Sequence, residues 1–151
     1  MTTSEEAVRL DVGSHQLAAT VVAPGRHVPG APFPGVLFIH SWGESQSQYL
    51  MRARQVAALG CVCLTFDLSG HGATHSQWTT VSREINFHDV LAAYDLLASR
   101  TEVDGSAMAV VGSSYGGYLG AILTAERPVR WLAMRVPALY PTRAGSCRSR
   151  N

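Results

Sequence analysis

Lysine is absent from this 151-residue chain, and all twelve basic residues are arginine. A P-loop needs a lysine after its glycine-rich turn, so that phosphate-binding device is excluded. No G-x-G-x-x-G follows the first buried strand pattern, which removes the dinucleotide fingerprint as well. Charge is sparse, at 15% of residues with a net of +1, and gives no footing for nucleic acid or an acidic membrane surface as partner. No apolar run reaches the roughly 18 residues of a membrane span. The segment Met1 to Glu6 lacks the basic-then-apolar pattern of a secretory signal. Only three cysteines occur, Cys61, Cys63 and Cys147, without metal-ligand spacing and without Cys-x-x-Cys. The expectation is free thiols, a reducing cytoplasmic compartment, and neither metal nor other cofactor.

What is present is a globular composition, 46% apolar, of a length that suits one domain. Val8 to Val12 alternates in the manner of a strand, Gly13-Ser14 makes a turn, and His15 to Ala23 reads as the hairpin partner. A Pro/Gly-rich loop spans Pro24 to Pro34. Val36 to Ile39 and Cys61 to Phe66 are continuous apolar runs, the pattern of strands buried on both faces. Between them Gln48 to Leu59 has helical spacing, with Leu50, Val56 and Leu59 as expected inner positions and Gly60 as its stop. A polar loop is expected over Asp67 to Thr80. Ser82 then caps a helix from Arg83 to Ser99, whose apolar stripe includes Ile85, Val90, Tyr94 and Leu97. Ala107 to Val111 is a further buried strand, a helix follows to about Arg127, and Val129 to Val136 is a last strand. Apolar strands alternating with amphipathic helices predict an α/β fold, a mostly parallel sheet covered on both faces. Ligands in such sheets bind at the carboxyl ends of the strands, which directs attention to the loops beginning at His40, Asp67 and Gly112.

Gly112-Ser113-Ser114-Tyr115-Gly116 fits G-x-S-x-G, and it stands where that motif has mechanical meaning, between a buried strand and a helix. The turn is so tight that residues two places either side of the serine must be small. The serine is lifted clear of the sheet, and the helix amino terminus points at it, ready to stabilise a negative oxygen. His40-Ser41-Trp42-Gly43 follows the first buried strand, in a loop that lies beside such an elbow. Its backbone can join the amide of Tyr115 in an oxyanion hole. Asp67 and His71 do not complete a triad on this reading. His40 is read as a packing residue, and His75 and His88 as solvated. Cys61 and Cys63 are read as core, since apolar surroundings raise a thiol pKa.

Three segments, His40 to Gly43, Asp67-Leu68-Ser69-Gly70-His71-Gly72, and Gly112 to Gly117, together resemble the α/β-hydrolase superfamily over roughly residues 7–140. Their order is similar to the serine aminopeptidase/monoacylglycerol lipase-like and dienelactone hydrolase-like branches. The resemblance implies Ser114 as nucleophile, oxyanion-hole amides from Trp42 and Tyr115, and a small-molecule ester or peptide as substrate. Two departures stand out. Ser41 replaces the usual glycine, so restoring glycine is expected to ease the loop's turn. Ser69 stands where the family often has arginine, and a structural anchor is expected to be lost.

The triad order of that superfamily is serine, acid, histidine. After Ser114 the only acid is Glu126, and no histidine follows at all. Residues 1–126 hold six arginines and eleven acids, a balance of −5, whereas 127–151 hold six arginines and no acid, +6. The expectation is a C-terminally incomplete hydrolase domain over 1–140 followed by a non-homologous or disordered tail over 141–151. Two functional readings follow. One is a serine hydrolase acting through an acyl-enzyme on Ser114. The other is an inactive fragment lacking the triad acid and base. In either case the Val129–Val136 strand is expected to form an exposed sheet edge prone to self-association.

Overall fold

The computed structural model describes residues 2–25 and 30–140, apart from the side chains of residues 75 and 76. The expected tail over 141–151, with Cys147 in it, lies outside the described residues, as does the side chain of His75. Ten elements follow one another: β1 (Thr3–Val12), β2 (His15–Pro24), β3 (Phe33–Ile39), α1 (Ser47–Ala58), β4 (Val62–Phe66), a 3-10 stretch (Gly72–Thr80) kinked at Thr74, α2 (Arg83–Ala98), β5 (Val103–Ser113), α3 (Tyr115–Leu123) and β6 (Trp131–Arg135). One sheet runs in the order β1-β2-β4-β3-β5-β6. The last four of these strands are mutually parallel, and the β1–β2 hairpin joins antiparallel at the β4 side. The expected α/β architecture is the observed one.

Alternation along β3 shows how the sheet is buried on both faces. Val36 and Phe38 point to one side, where Tyr49, Ala53 and Ala57 of α1 cover them; Leu37 and Ile39 point to the other, against α2 and α3. The inner face of α1 is therefore not the one expected from its large apolar residues. Leu59 is exposed and Leu50 and Val56 are only partly buried, while Ala53 and Ala57 are fully buried. The reason is steric: two alanines one turn apart let the helix axis approach the sheet closely, which leucines would prevent. Cys63 is buried and Cys61 partly buried on this same α1 side, and burial pushes both thiols up, away from the reactive thiolate.

Helix α2 starts where its cap predicts: the Ser82 hydroxyl accepts from the Ile85 amide at 3.2 Å. Ile85 itself is exposed, and the buried face includes Asn86 and Asp89 among its apolar residues. β5 is longer than the Ala107–Val111 core that the sequence marks. Phe33 pairs with Val103 and Pro34 with Asp104, and then the register jumps so that Gly35 faces Met108. α3 ends earlier than expected, at Leu123, and β6 starts only at Trp131, with Val129 packed against the core before it. β6 is an edge strand, with Trp131 and Met134 exposed. Among the described residues no helix is long and apolar enough to cross a membrane.

The tight seat of α1 generates a stability test. Ala53→Leu should lower stability by about 1–3 kcal/mol through overpacking, read as a drop in the urea midpoint. The same change at exposed Met51 should move it far less.

Candidate functional site

The carboxyl ends of β3, β4 and β5 bring together the three segments singled out by the sequence. Ser114 sits between β5 and α3 with φ 53° and ψ −116°, and its side chain is exposed. A serine rarely adopts this backbone, at a cost of roughly 1–3 kcal/mol. The surroundings enforce it. A Cβ on Gly112 would collide with the carbonyl of Gly116, and a Cβ on Gly116 would collide with the carbonyl of Ile39 at the end of β3. The elbow is thus wedged against the β3 terminus by backbone contact. It is also tied to the chain beyond β6, since the Ser114 amide donates to Arg135 O at 3.0 Å and the Ala138 amide donates to Ser114 O at 2.9 Å. Val136, between those two anchors, is the other described non-glycine residue with positive φ, at 46°.

Tyr115 opens α3, where backbone amides have no partner within the helix. Its side chain is buried, and its hydroxyl donates to Asn86 Oδ1 at 2.9 Å. Burial pushes this phenol up, so it stays neutral. The Trp42 ring meets Tyr115 and His71 edge-on, with centroids 5.1 and 4.8 Å apart, lies tilted against Trp78 at 4.4 Å, and is still partly exposed. The loop that carries Trp42 is fastened on both sides. The Ser41 hydroxyl donates to Ser113 O at 3.2 Å, and the Ser41 amide donates to Gln48 Oε1 at 2.8 Å. Ser41 is not under the backbone strain expected of it. The positive φ of this loop falls on Gly43, at 81°, so a glycine at 41 would relieve nothing there.

His40 is buried and uses both ring nitrogens. Nδ1 donates to Ser41 O at 2.8 Å, and Nε2 accepts from the Leu68 amide at 3.0 Å. Desolvation holds its pKa down at about 4, with the like charge of His71 acting in the same direction and the Ser41 hydrogen bond and Asp67 opposing. His40 is therefore a neutral strut between the loops after β3 and β4, with no nitrogen left for proton transfer. His71 is buried too, and its Nδ1 donates to Ser69 O at 3.0 Å. Asp67 accepts from the Gln46 amide at 2.8 Å, holding the start of α1. Glu126 lies past the far end of α3, separated from the elbow by about 14 Å of helix, too far to serve in a triad. His88 is exposed.

Asn86 and Asp89 on α2 are the polar residues that sequence reasoning passed over. Asp89 accepts from the Ser69 amide at 2.8 Å and the Ser69 hydroxyl at 2.9 Å, while Asn86 Nδ2 donates to Ser69 O at 3.0 Å. His15 Nε2 adds a bond to the Ser69 hydroxyl at 2.9 Å. Ser69 is thus anchored by this set, without arginine. The same Asn86 orients Tyr115, so α2 links the β4 loop to the elbow. The available signal was two polar residues three apart inside an apolar helical stripe, a position where buried polar groups must find partners.

Comparison with known proteins gives a consistent picture. Residues 36–146 match the model of a family described as "Alpha/beta hydrolase family". The alpha/beta hydrolase domain-containing protein WAV2 of Arabidopsis thaliana is 31% identical over 96 residues, 63% of this chain but 30% of its own length. A dienelactone hydrolase-like promiscuous phosphotriesterase from metagenomic libraries is 25% identical with a TM-score of 0.78, covering 95% of this chain and 63% of its own. The dienelactone hydrolase of Anabaena variabilis is 26% identical with a TM-score of 0.69, covering 89% of this chain and 64% of its own. The chain therefore spans under two thirds of the length of these relatives.

The depressed His40 pKa sets a pH dependence. A histidine whose folded pKa lies near 4, against 6.5 unfolded, contributes its stability above pH 6.5 and loses it as pH falls toward 4. The full loss is about 3 kcal/mol. His40→Gln should be less stable than the parent at pH 7, and the gap should narrow by pH 4.5 in urea titrations. A gap that is constant across this range would contradict the neutral-strut assignment.

Proposed function

The chain belongs to the alpha/beta hydrolase family, and on that premise we propose that it is a serine hydrolase cleaving an ester or amide through an acyl-enzyme on Ser114. The observation that carries the reading is the exposed Ser114 at positive φ on a glycine-walled elbow between β5 and α3. In this reading the Ser114 oxygen attacks the substrate carbonyl and its proton passes to a general base. The amides of Tyr115 and Trp42 hold the developing oxyanion, and the alcohol or amine departs with a proton. Water then releases the acid and restores the serine. Small-molecule esters are the favoured substrates, since the similar structures that reach 25% identity are dienelactone hydrolase-like.

One observation favours the second reading, a catalytically inert hydrolase domain. Both ring nitrogens of His40, the buried histidine on the loop beside the elbow, are engaged, so it offers no base to Ser114. Loss of a triad member costs up to roughly 10⁶ in turnover, while an oxyanion hole alone keeps about 10³–10⁴ over water. The two readings separate on a p-nitrophenyl ester and a phosphonate probe. Turnover or labelling that disappears in Ser114→Ala and persists in Ser113→Ala supports the hydrolase. Equal loss from both changes removes Ser114 from the nucleophile's role, and no reaction in the parent chain supports the inert domain.

The reading extends to self-association through β6. Trp131, Met134 and Val136 are exposed along an edge that carries no acidic residue. Unpaired strand edges of this kind join other chains. Light scattering should find oligomers, and Met134→Lys should shift them toward monomer. A monomeric parent would refute the edge as an assembly surface.

A further inference from the structure

The residues around Ser41 form a three-way junction that the family reading does not use. Its hydroxyl accepts from Gln48 Nε2 at 3.2 Å and donates to Ser113 O at 3.2 Å, while its amide donates to Gln48 Oε1 at 2.8 Å. Each donor and acceptor finds its complement: the glutamine amide grips backbone and side chain of one serine, and that serine grips the residue immediately before Ser114. Gln48 stands in the first turn of α1, and α1 is seated on the sheet by Tyr49, Ala53 and Ala57. The junction therefore connects a rigid helix, the loop bearing Trp42, and the strained elbow.

We propose that Ser41 and Gln48 are positioning residues, a clamp that sets the Trp42 amide against the Ser114 elbow. The proposal rests on the hydrolase reading above for its catalytic consequence. Its physical basis is separate. The loop reverses at Gly43, whose positive φ of 81° only glycine adopts readily, so the amide of Trp42 is only as well aimed as the residues before it. His40 fixes one end through Leu68, and the clamp fixes the next residue against both the helix and the elbow. With Ser41 bonded to Ser113, a shift of the loop must carry the elbow with it, so the two amides keep their separation. A misplacement of about 1 Å in such a site costs on the order of 10²-fold in rate. This reverses the sequence expectation for Ser41: glycine there removes the hydroxyl that ties the loop down.

The test uses Ser41→Ala, Gln48→Leu and the conservative Ser41→Thr. Amide hydrogen exchange needs no turnover and is read first. The hydrogen-bonded amides of Ser41 and Glu44 should exchange about tenfold faster in Ser41→Ala and Gln48→Leu. The central-strand amides of Val21 and Leu64 should be unchanged, and Ser41→Thr should keep the parent rate. On a p-nitrophenyl ester the first two variants should lower kcat about tenfold at constant KM, and Ser41→Thr should restore it. Unchanged exchange in both variants overturns the clamp. Faster exchange with unaltered kcat, or a change confined to KM, overturns the positioning role. A parent chain that neither turns over ester nor labels at Ser114 counts against the hydrolase reading instead, and the clamp is then decided by exchange alone.

Discussion

The backbone of Ser114 can hold its strained conformation only because two glycines let three pieces of main chain meet. Gly112 lies under the first turn of α3, and Gly116 lies against the carbonyl of Ile39. Neither contact leaves room for a methyl group. Strain of roughly 1–3 kcal/mol at one residue is small beside the sheet and helix packing that surrounds it, so the fold over-determines the elbow. From this contact the rest of the site follows. The end of β3 must abut the start of α3, and the loop leaving β3 therefore runs past Ser114. The segment after β6 closes the other side through hydrogen bonds to both the amide and the carbonyl of Ser114.

Around that wedge, buried polar groups act as struts. His40 joins the loops after β3 and β4 in its neutral form, and Asp89 with Asn86 anchors Ser69 and steers Tyr115. Each of these groups is buried and satisfied, and a buried polar group without a partner would cost far more than the modest net gain of the bond it makes. The arrangement binds the histidines of the motifs near the elbow into the scaffold. His40 and His71 spend Nδ1 on backbone carbonyls, and desolvation keeps His40 uncharged.

Family membership and chemistry are separable properties here. The sheet, the elbow and the helix amino terminus found within residues 3–135 suffice for the match to relatives of which the chain covers under two thirds. A general base is a single side chain at a single place, and nothing in sheet packing demands it. A chain can therefore keep this much of a hydrolase's architecture while its reactivity depends on a few atoms elsewhere.

By itself the sequence determined the mostly parallel sheet, the order of its elements and the strand-turn-helix elbow at Ser114, because buried strands, a capped helix and G-x-S-x-G are local patterns with local physical causes. Ser82 as a cap and Gly60 as a stop are legible for the same reason. Tertiary structure alone decided which face of α1 turns inward, since closeness of approach made Ala53 and Ala57 better inner residues than Leu50 or Leu59. It alone decided that β5 extends past a register jump to Val103, because only pairing with Phe33 and Pro34 makes those residues a strand. The burial of Asn86 and Asp89, and the Ser41–Gln48–Ser113 junction, were likewise invisible along the chain. Their partners lie between 7 and 72 residues away in sequence, and a hydrogen bond has no signature until folding brings donor and acceptor together.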